Sequence, residues 1–210
     1  MVRGKANWER EFELSGGALC LDFANTVLRR NQPGRTQDEL EDYSRLVGFA
    51  KQSKLLSPAK ADLQRARALK SPLTASHVIP AAKALREAIY RVFSSLAARK
   101  SIAPEDVKLL EKFALEALKQ RSLMPLPKGG YRWQWKPDEA DNPEQMLWPI
   151  ALSAGELLTS DLISSVRECA ADDCAWLFLD ESRNRSRRWC DMKVCGNRQK
   201  ARRHYHRTQK

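Results

Sequence analysis

Four cysteines near the carboxyl end of the chain have the spacing of a metal site. Cys169 and Cys174 enclose four residues, fifteen residues follow, and Cys190 and Cys195 again enclose four. Two short loops can each deliver two thiolates to one tetrahedral zinc ion, with each sulfur about 2.3 Å from the metal. The first residues lack the apolar stretch of a secretory signal, so we expect a cytoplasmic protein whose thiols are reduced ligands rather than disulfides.

The cysteine spacing has three other interpretations. An iron–sulfur cluster also fits four thiolates, and four unconnected structural cysteines are a further alternative. A catalytic zinc ion needs an open coordination position, and four sulfur ligands leave none. We therefore expect a structural Zn²⁺ ion. The fifth cysteine, Cys20, lies in an apolar setting and is expected to be a small buried hydrophobe.

The charge of the chain is concentrated beside these cysteines. The formal net charge is +11, with 37 Lys and Arg against 26 Asp and Glu. Residues 183–210 hold 11 of those basic residues and a single acid, Asp191. One acid cannot compensate eleven basic residues, so self-repulsion persists until a polyanion binds. The asymmetry predicts a nucleic-acid partner held by this end of the molecule.

The sequence around the cysteines predicts how they are positioned. Residues 175–180 read as an apolar strand, and after a turn residues 185–189 lead back to Cys190 as a second strand. Asp180 is expected to accept hydrogen bonds from the arginine-rich loop that follows it. Residues 196–207 consist largely of helix formers. Arg198 and Arg202 stand four apart and should share one face of this basic helix.

The rest of the chain predicts a mainly helical body with a small antiparallel sheet, an α+β fold. Apolar periodicity predicts helices over residues 38–50, 80–98 and 149–160, and Ser57-Pro58 and Pro104 signal two further helix starts. Residues 131–136 alternate as a strand, for which residues 144–149 are the expected partner. Residues 11–14 and 18–21 could form another short hairpin. No apolar run is long enough to span a membrane.

At this point two family resemblances become specific. Cys195-Gly196-Asn197-Arg198, with Arg187-Arg188-Trp189-Cys190 before it, resembles the CGNR zinc finger. That resemblance implies a treble-clef finger with a knuckle, a hairpin and a helix whose first turn supplies the last ligands. Residues 19–26 and 85–88 resemble the ABATE domain of stress-induced transcription regulators. Together the resemblances imply an ABATE-like domain over residues 1–165, a finger over residues 166–210, and a DNA-binding regulator.

The sequence also selects candidate contact residues. Asn197 and Arg198, at the helix start, could reach base edges or instead lock the knuckle. Asp22, Asn25 and Thr26 could cap the first helix or line a ligand pocket, and Arg86 is expected on the surface or at an anion. The residues predicted to contact nucleic acid are Arg183, Arg185, Arg187, Arg188, Asn197, Arg198, Lys200, Arg202 and Arg203.

Several functions remain open on the sequence alone. The first hypothesis is a DNA-binding transcription regulator whose body senses a small molecule or mediates assembly as a homodimer. An RNA-binding protein is the runner-up, because the same charges would serve. An enzyme is disfavoured, since His77 is the only histidine outside the tail and no catalytic signature stands out. A protein–protein adaptor that uses the finger is a further alternative.

Overall fold

The computed structural model describes residues 7–136 and 142–208, except for the side chains of Thr74, Arg203, His206 and Thr208. The helices are α1 (Leu19–Ala24), α2 (Tyr43–Gln52), α3 (Pro58–Lys70), α4 (Pro72–Ala97), α5 (Pro104–Lys119), α6 (Leu147–Leu158) and α7 (Asn197–Thr208). The strands are β1 (Val27–Leu28), β2 (Gln37–Asp38), β3 (Arg121–Pro125), β4 (Tyr131–Trp135), β5 (Val166–Glu168) and β6 (Leu177–Leu179). They form three antiparallel pairs, β1–β2, β3–β4 and β5–β6. The α+β class predicted from the sequence is confirmed.

The body is organised around α4, the longest helix. The face predicted from periodicity is buried, with Leu85, Ile89, Val92 and Phe93 each inaccessible to solvent. The short helix α1 packs against both α4 and α6, and its Cys20 is completely buried as the sequence predicts. Desolvation raises the pKa of the Cys20 thiol to about 12, so the thiol stays protonated at neutral pH. None of the helices in the described part of the chain is long and apolar enough to cross a membrane.

The helix starts show which local signals decide a boundary. Ser57 accepts a hydrogen bond from the Lys60 backbone, and Pro58 begins α3 as the sequence predicts. The helix predicted over residues 80–98 begins earlier, at Pro72, and continues through Pro80. The helix predicted from residue 38 begins instead at Tyr43, where the Asp42 side chain caps it. Residue 38 is excluded from the helix because it pairs with β1.

Both short hairpins predicted in the body are wrong as stated. The partner of β4 is β3, which precedes it in the chain, whereas α6 begins within residues 144–149. Gly129 and Gly130 both adopt positive φ, so the chain reverses tightly enough to pair β4 with the preceding segment. Residues 11–14 form no strand with residues 18–21, because α1 already begins at Leu19. The backbone of Phe12 pairs instead with the Gln52 side-chain amide, in two hydrogen bonds of 2.7 Å.

The cysteine-rich segment is packed against the body. Val166, Leu177 and Leu179 of β5 and β6 belong to the same apolar core as α1 and α4. Asn25 donates to the Leu177 carbonyl oxygen and accepts from the Leu177 N–H, both at 2.8 Å. The Trp176 indole N–H donates to the Val27 carbonyl oxygen at 3.0 Å. The orientation of the cysteine-rich segment is thereby fixed by contacts with the body.

Candidate metal centre and basic surface

The four cysteines predicted as ligands converge on one point. Cys169, Cys174, Cys190 and Cys195 are buried, and their sulfur atoms all lie within 4.8 Å of one another. The Cys174–Cys190 and Cys190–Cys195 sulfur distances are both 3.6 Å, and no disulfide joins them. A tetrahedron with sulfur about 2.3 Å from a central ion has edges of about 3.8 Å. The four sulfurs are therefore positioned to bind a metal ion of that size.

The first two ligands lie at the tip of the β5–β6 hairpin. The Cys169 N–H donates to the Trp176 carbonyl oxygen at 2.8 Å, and the Cys174 N–H donates to Ala171 at 3.1 Å. Ala175 adopts a left-handed conformation with φ +64°, which turns the chain away from the sulfurs into β6. The predicted strand within residues 175–180 is present. Its partner is β5, before Cys169, and residues 185–189 form no strand, contrary to the sequence-based expectation.

The second pair of ligands leads into the basic helix. A single π turn over Met192–Gly196 carries Cys195 and runs directly into α7. The Asp191 carboxylate caps this turn by accepting from the Val194 N–H at 2.9 Å. The Met192 side chain packs directly over Gly196, where a Cβ atom would displace the Met192 sulfur. The metal ligand is thus joined to the first turn of α7.

The four thiols influence one another's ionisation. Hydrogen bonds from the other three thiols hold the pKa of Cys169 far below its usual range. Hydrogen bonds with neighbouring sulfurs, that with Cys169 being the largest influence, raise the pKa of Cys190. Hydrogen bonds among the sulfurs likewise leave the pKa of Cys195 lowered and that of Cys174 raised, so two thiols ionise at the expense of the other two, and a bound cation is what permits all four to ionise. An all-sulfur ligand set of this kind suits zinc or an iron–sulfur cluster.

Two arginines predicted to contact nucleic acid are paired with acids of their own segment. The Arg198 guanidinium lies 3.2 Å from the Cys195 sulfur and 3.0 Å from an Asp173 carboxylate oxygen. Arg202, one turn later, lies 2.8 Å from Asp173 and 3.7 Å from Asp172. The expectation of a basic helix without acidic partners is wrong at these two positions. The compensating acids precede the basic segment and lie inside the first cysteine loop.

Arg198 has a further electrostatic role at the sulfurs. Four thiolates around one divalent ion leave an excess of negative charge, which a neighbouring guanidinium offsets. Groups that hydrogen-bond to metal ligands orient those ligands and tune the affinity for the metal. The Asp173 side chain, which is 9% exposed, in turn holds the Arg198 guanidinium in place. Cys195, Arg198, Asp173 and Arg202 thus form a connected network that we call the helix clamp.

The loop between β6 and Cys190 is ordered by Asp180, as the sequence predicts. Its buried carboxylate accepts from the Ser182 N–H at 3.0 Å and from the Arg187 N–H at 2.9 Å. The Arg187 guanidinium donates to the carbonyl oxygens of Trp189 and Cys190 and lies 4.5 Å from the Phe178 ring centroid. Arg187 therefore packs within the loop although part of it is exposed.

The remaining predicted cations face solvent. Arg185 donates to the Ser164 hydroxyl at 3.1 Å, and the Arg188 guanidinium lies 5.5 Å from the Trp189 ring centroid. Arg183, Asn197 and Lys200 are exposed, with no side-chain partner within residues 7–136 or 142–208. The side chain of Arg203 lies outside the described residues. Two further exposed cations share this property but were not selected from the sequence, Lys193 and Arg207. Five exposed cations that meet no acid within the described part of the chain are called the free cations: Arg183, Arg188, Lys193, Lys200 and Arg207.

The four candidate ligand residues of the body have partners inside the fold. The expectation that Arg86 lies at the surface is wrong, because it is 4% exposed and binds both carboxylate oxygens of Asp38, at 2.6 and 3.1 Å. Thr26 donates to the Phe23 carbonyl oxygen. Asn25 stands at the C-terminal end of α1, where its side chain bonds Leu177 rather than capping the N-terminus.

Asp22 lies within the first turn of α1 and accepts from the Gly16 N–H at 2.7 Å. Burial raises the pKa of Asp22 to about 6, although the hydrogen bond from Gly16 partly offsets this effect. The Asp22 carboxyl group therefore connects the first turn of α1 to the chain that precedes it.

Comparison with known families agrees with this architecture. The ABATE family, described as "Putative stress-induced transcription regulator", matches residues 17–161, well over half of the chain. The CGNR zinc finger family matches residues 165–208. Neither description names an enzymatic activity, and none of the curated proteins compared with the chain matches it. The chain belongs to the ABATE family and carries a CGNR zinc finger at its carboxyl end.

Proposed function

We propose that this protein is a cytoplasmic transcription regulator that binds duplex DNA through its finger, with Zn²⁺ as a structural ion. The observation that carries the proposal is the junction between the sulfur cluster and α7. Only Gly196 separates the last ligand, Cys195, from the helix, and the helix clamp holds the first turns against the knuckle. A metal held there fixes the direction in which the basic helix projects.

Zinc is the ion that this ligand set favours. Zinc has no geometric preference of its own and accepts four thiolates in a closed tetrahedral site. The sulfur distances of 3.6 Å are compatible with that geometry. The metal would lie away from bulk water, because each cysteine side chain is buried. With no open coordination position, its contribution is to folding and orientation rather than to catalysis.

The basic residues divide into two roles in this proposal. Arg198 and Arg202 orient α7 through Asp173, and Arg185 and Arg187 order the loop that precedes Cys190. The free cations, together with Arg203, contact phosphates and supply affinity that does not depend on sequence. Asn197, exposed at the helix start, is the residue placed to read a base edge.

The salt dependence of DNA binding tests this division of labour. Each phosphate contact contributes about 0.9 to the slope of log K against log salt on duplex DNA. Replacing Arg183 and Arg188 with Ala should therefore flatten the slope by about 1.8. The matched control replaces Lys108 and Lys112, two exposed cations of α5, with Ala. The control should leave the slope unchanged, and an unchanged slope in the finger variant would contradict the proposal.

Structured RNA is the alternative partner, and a competition assay separates it from DNA. Duplex DNA and a hairpin RNA of equal charge are competed at fixed salt for the zinc-loaded protein. Preference for the DNA supports the proposal, and preference for the RNA overturns the choice of partner. Selection of bound sequences from a random DNA pool, with and without zinc, would then identify the site.

The body is proposed to sense a small molecule or to mediate assembly as a homodimer. A cavity of about 310 Å³ lies where α2, α3 and the start of α4 meet. It is lined by the buried side chains of Tyr43 and Gln64 and by Arg67, Lys70 and Pro143. This combination of apolar wall, buried amide and two cations would suit a small organic anion as effector.

A further inference from the structure

The hairpin of β3 and β4 turns its apolar side chains towards solvent. Strand alternation puts Tyr131, Trp133 and Trp135 on one face, where Trp133 lies opposite Leu123 and Trp135 opposite Arg121. Tyr131 is 68% exposed, Trp133 57% and Leu123 56%. A sheet with one polar face ordinarily packs the apolar face on the core. The outward aromatic face of this hairpin is therefore a surface available to a partner.

The same hairpin is cationic. Residues 121–136 contain four Lys and Arg and no Asp or Glu. Lys128, Arg132 and Lys136 are exposed, and none of them meets an acid within residues 7–136 or 142–208. The next acids in the chain, at positions 138, 139 and 141, lie outside the described residues. Charge on the described hairpin is thus complementary to an anionic partner.

The position of Arg121 argues against a lipid bilayer or a second copy of the chain as the partner. Its guanidinium lies 5.4 Å from the Trp133 ring centroid and 5.5 Å from that of Trp135, on the aromatic face itself. Insertion of this face into a lipid bilayer would carry that charge out of water. Pairing of two copies through this face would bring like charges together. A nucleic acid offers both a flat π surface for each ring and a phosphate for each cation.

The spacing of the rings favours a single strand over a duplex. Side chains two residues apart on one strand are about 6.8 Å apart, twice the rise per residue. Stacked bases in a duplex are about 3.4 Å apart along each strand, and inserting a ring between them costs a few kcal/mol of unstacking per step. Bases that match the ring spacing must be unstacked and extended, as in single-stranded sites that use aromatic platforms.

We propose that the β3–β4 hairpin binds single-stranded nucleic acid, with bases stacked on Tyr131 and Trp133. Arg121, on the face of the rings, and Lys128, in the turn, bind the adjacent phosphates, whereas Arg132 and Lys136 alternate to the opposite face and add to the positive potential of the hairpin. Trp135, whose ring lies 5.5 Å from that of the buried Trp148, anchors the platform to the body. This surface is separate from the residues of the finger and does not depend on duplex binding by α7.

The test uses the full-length zinc-loaded protein and a fluorescein-labelled oligothymidine. Its length is about 16 nucleotides, the largest number that one single-strand-binding domain usually covers. Anisotropy is measured at about 0.3 M salt, which suppresses phosphate contacts more than stacking. Trp133→Ala should weaken binding about 5- to 150-fold, the loss of one stacked base. Trp133→Phe keeps a ring and should restore most of the affinity. Leu123→Ala, which removes an equally exposed apolar side chain without a ring, is the matched control.

Failure of single-strand binding by the hairpin can be distinguished from failure of duplex binding by the finger. Arg183→Ala with Arg188→Ala should weaken duplex binding while the effect of Trp133→Ala on oligothymidine persists. Equal affinity of the wild-type protein and Trp133→Ala for oligothymidine overturns the proposal. So does Trp133-dependent binding to phosphatidylserine vesicles without binding to oligothymidine, or a dimer in sedimentation that Trp133→Ala dissociates.

Discussion

Three arginines of the body and the free cations of the finger differ in whether they meet an acid. In the body, the buried Arg86 forms a salt bridge with Asp38. Arg30 pairs with Glu87 at 2.7 Å, and Arg91 binds Asp106. In the finger, the free cations extend from a small buried cluster and meet no acid within the described residues. The helix clamp is intermediate, because Arg198 and Arg202 use acids to fix a helix whose other cations remain exposed.

This difference shows how one residue type serves two purposes in one chain. A buried guanidinium needs a carboxylate in fixed geometry, so Arg30 and Arg86 hold elements of the fold together. An exposed guanidinium without a partner contributes little to folding and is available to a phosphate. The helix clamp connects the two uses, since the arginines that orient α7 determine where its exposed cations point.

The largest effect should come from breaking the metal centre, which orients the exposed cations of the finger. Cys190→Ser should remove bound zinc and abolish duplex binding, because the thiolates and Asp173 no longer fix α7. Metal analysis and DNA titration check both outcomes. Cys20→Ser is the matched control, a buried cysteine outside the cluster, and it should keep about one zinc per chain.

The same variant should also affect the body. Leu177 and Leu179 lie in the core with α1, and Asn25 bonds Leu177, so loss of the finger should lower the melting temperature of the whole chain. A Cys190→Ser protein that keeps its zinc and full DNA affinity would contradict the account.

A smaller effect is expected from breaking a buried pair of the body. Asp38→Asn removes one of the two carboxylates that contact the buried Arg86 guanidinium, since Glu87 still lies 2.9 Å from its Nε atom, and should cost about 1–3 kcal/mol of unfolding free energy. Zinc content and the slope of DNA binding against salt should not change. Glu116→Gln, which breaks an exposed pair with Lys119, should cost less than about 1 kcal/mol. Urea unfolding measures both, and equal costs would remove the distinction between buried and exposed pairs.

The same pair gives a pH dependence of known sign. Burial alone would raise the pKa of Asp38, but hydrogen bonds from Arg86 and Lys83 outweigh it and hold that pKa below its ordinary value. The stability that this group contributes is therefore fully present above about pH 4 and is lost as the pH falls through the folded-state pKa. Asp38→Asn should lack this component of the acid transition.

The parts of the molecule that the sequence predicts are those that depend on near neighbours. The four cysteines lie within one short segment, so their spacing alone indicates a shared metal ion. The face of α4 follows from its apolar periodicity, and the start of α3 follows from Ser57 and Pro58. In each case the decisive contacts lie within a few residues or in one regular helix.

What the sequence does not predict depends on distant pairings. Asn25 and Leu177 are 152 positions apart, and nothing in either segment indicates that an amide side chain would complete a strand edge. β3 was missed because Arg121, Ser122 and Pro125 break the pattern of an apolar strand. Asp172 and Asp173 precede the charged tail, so a count of charges by segment assigns no partner to Arg198 and Arg202.

The most direct test of the account is X-ray absorption at the zinc edge of the purified full-length protein. The account predicts about one zinc per chain, bound by four sulfur atoms at about 2.3 Å with no nitrogen or oxygen ligand. A protein without zinc, or a spectrum that requires nitrogen or oxygen in the first coordination sphere, would contradict the claim that four cysteines close around the ion and orient the basic helix.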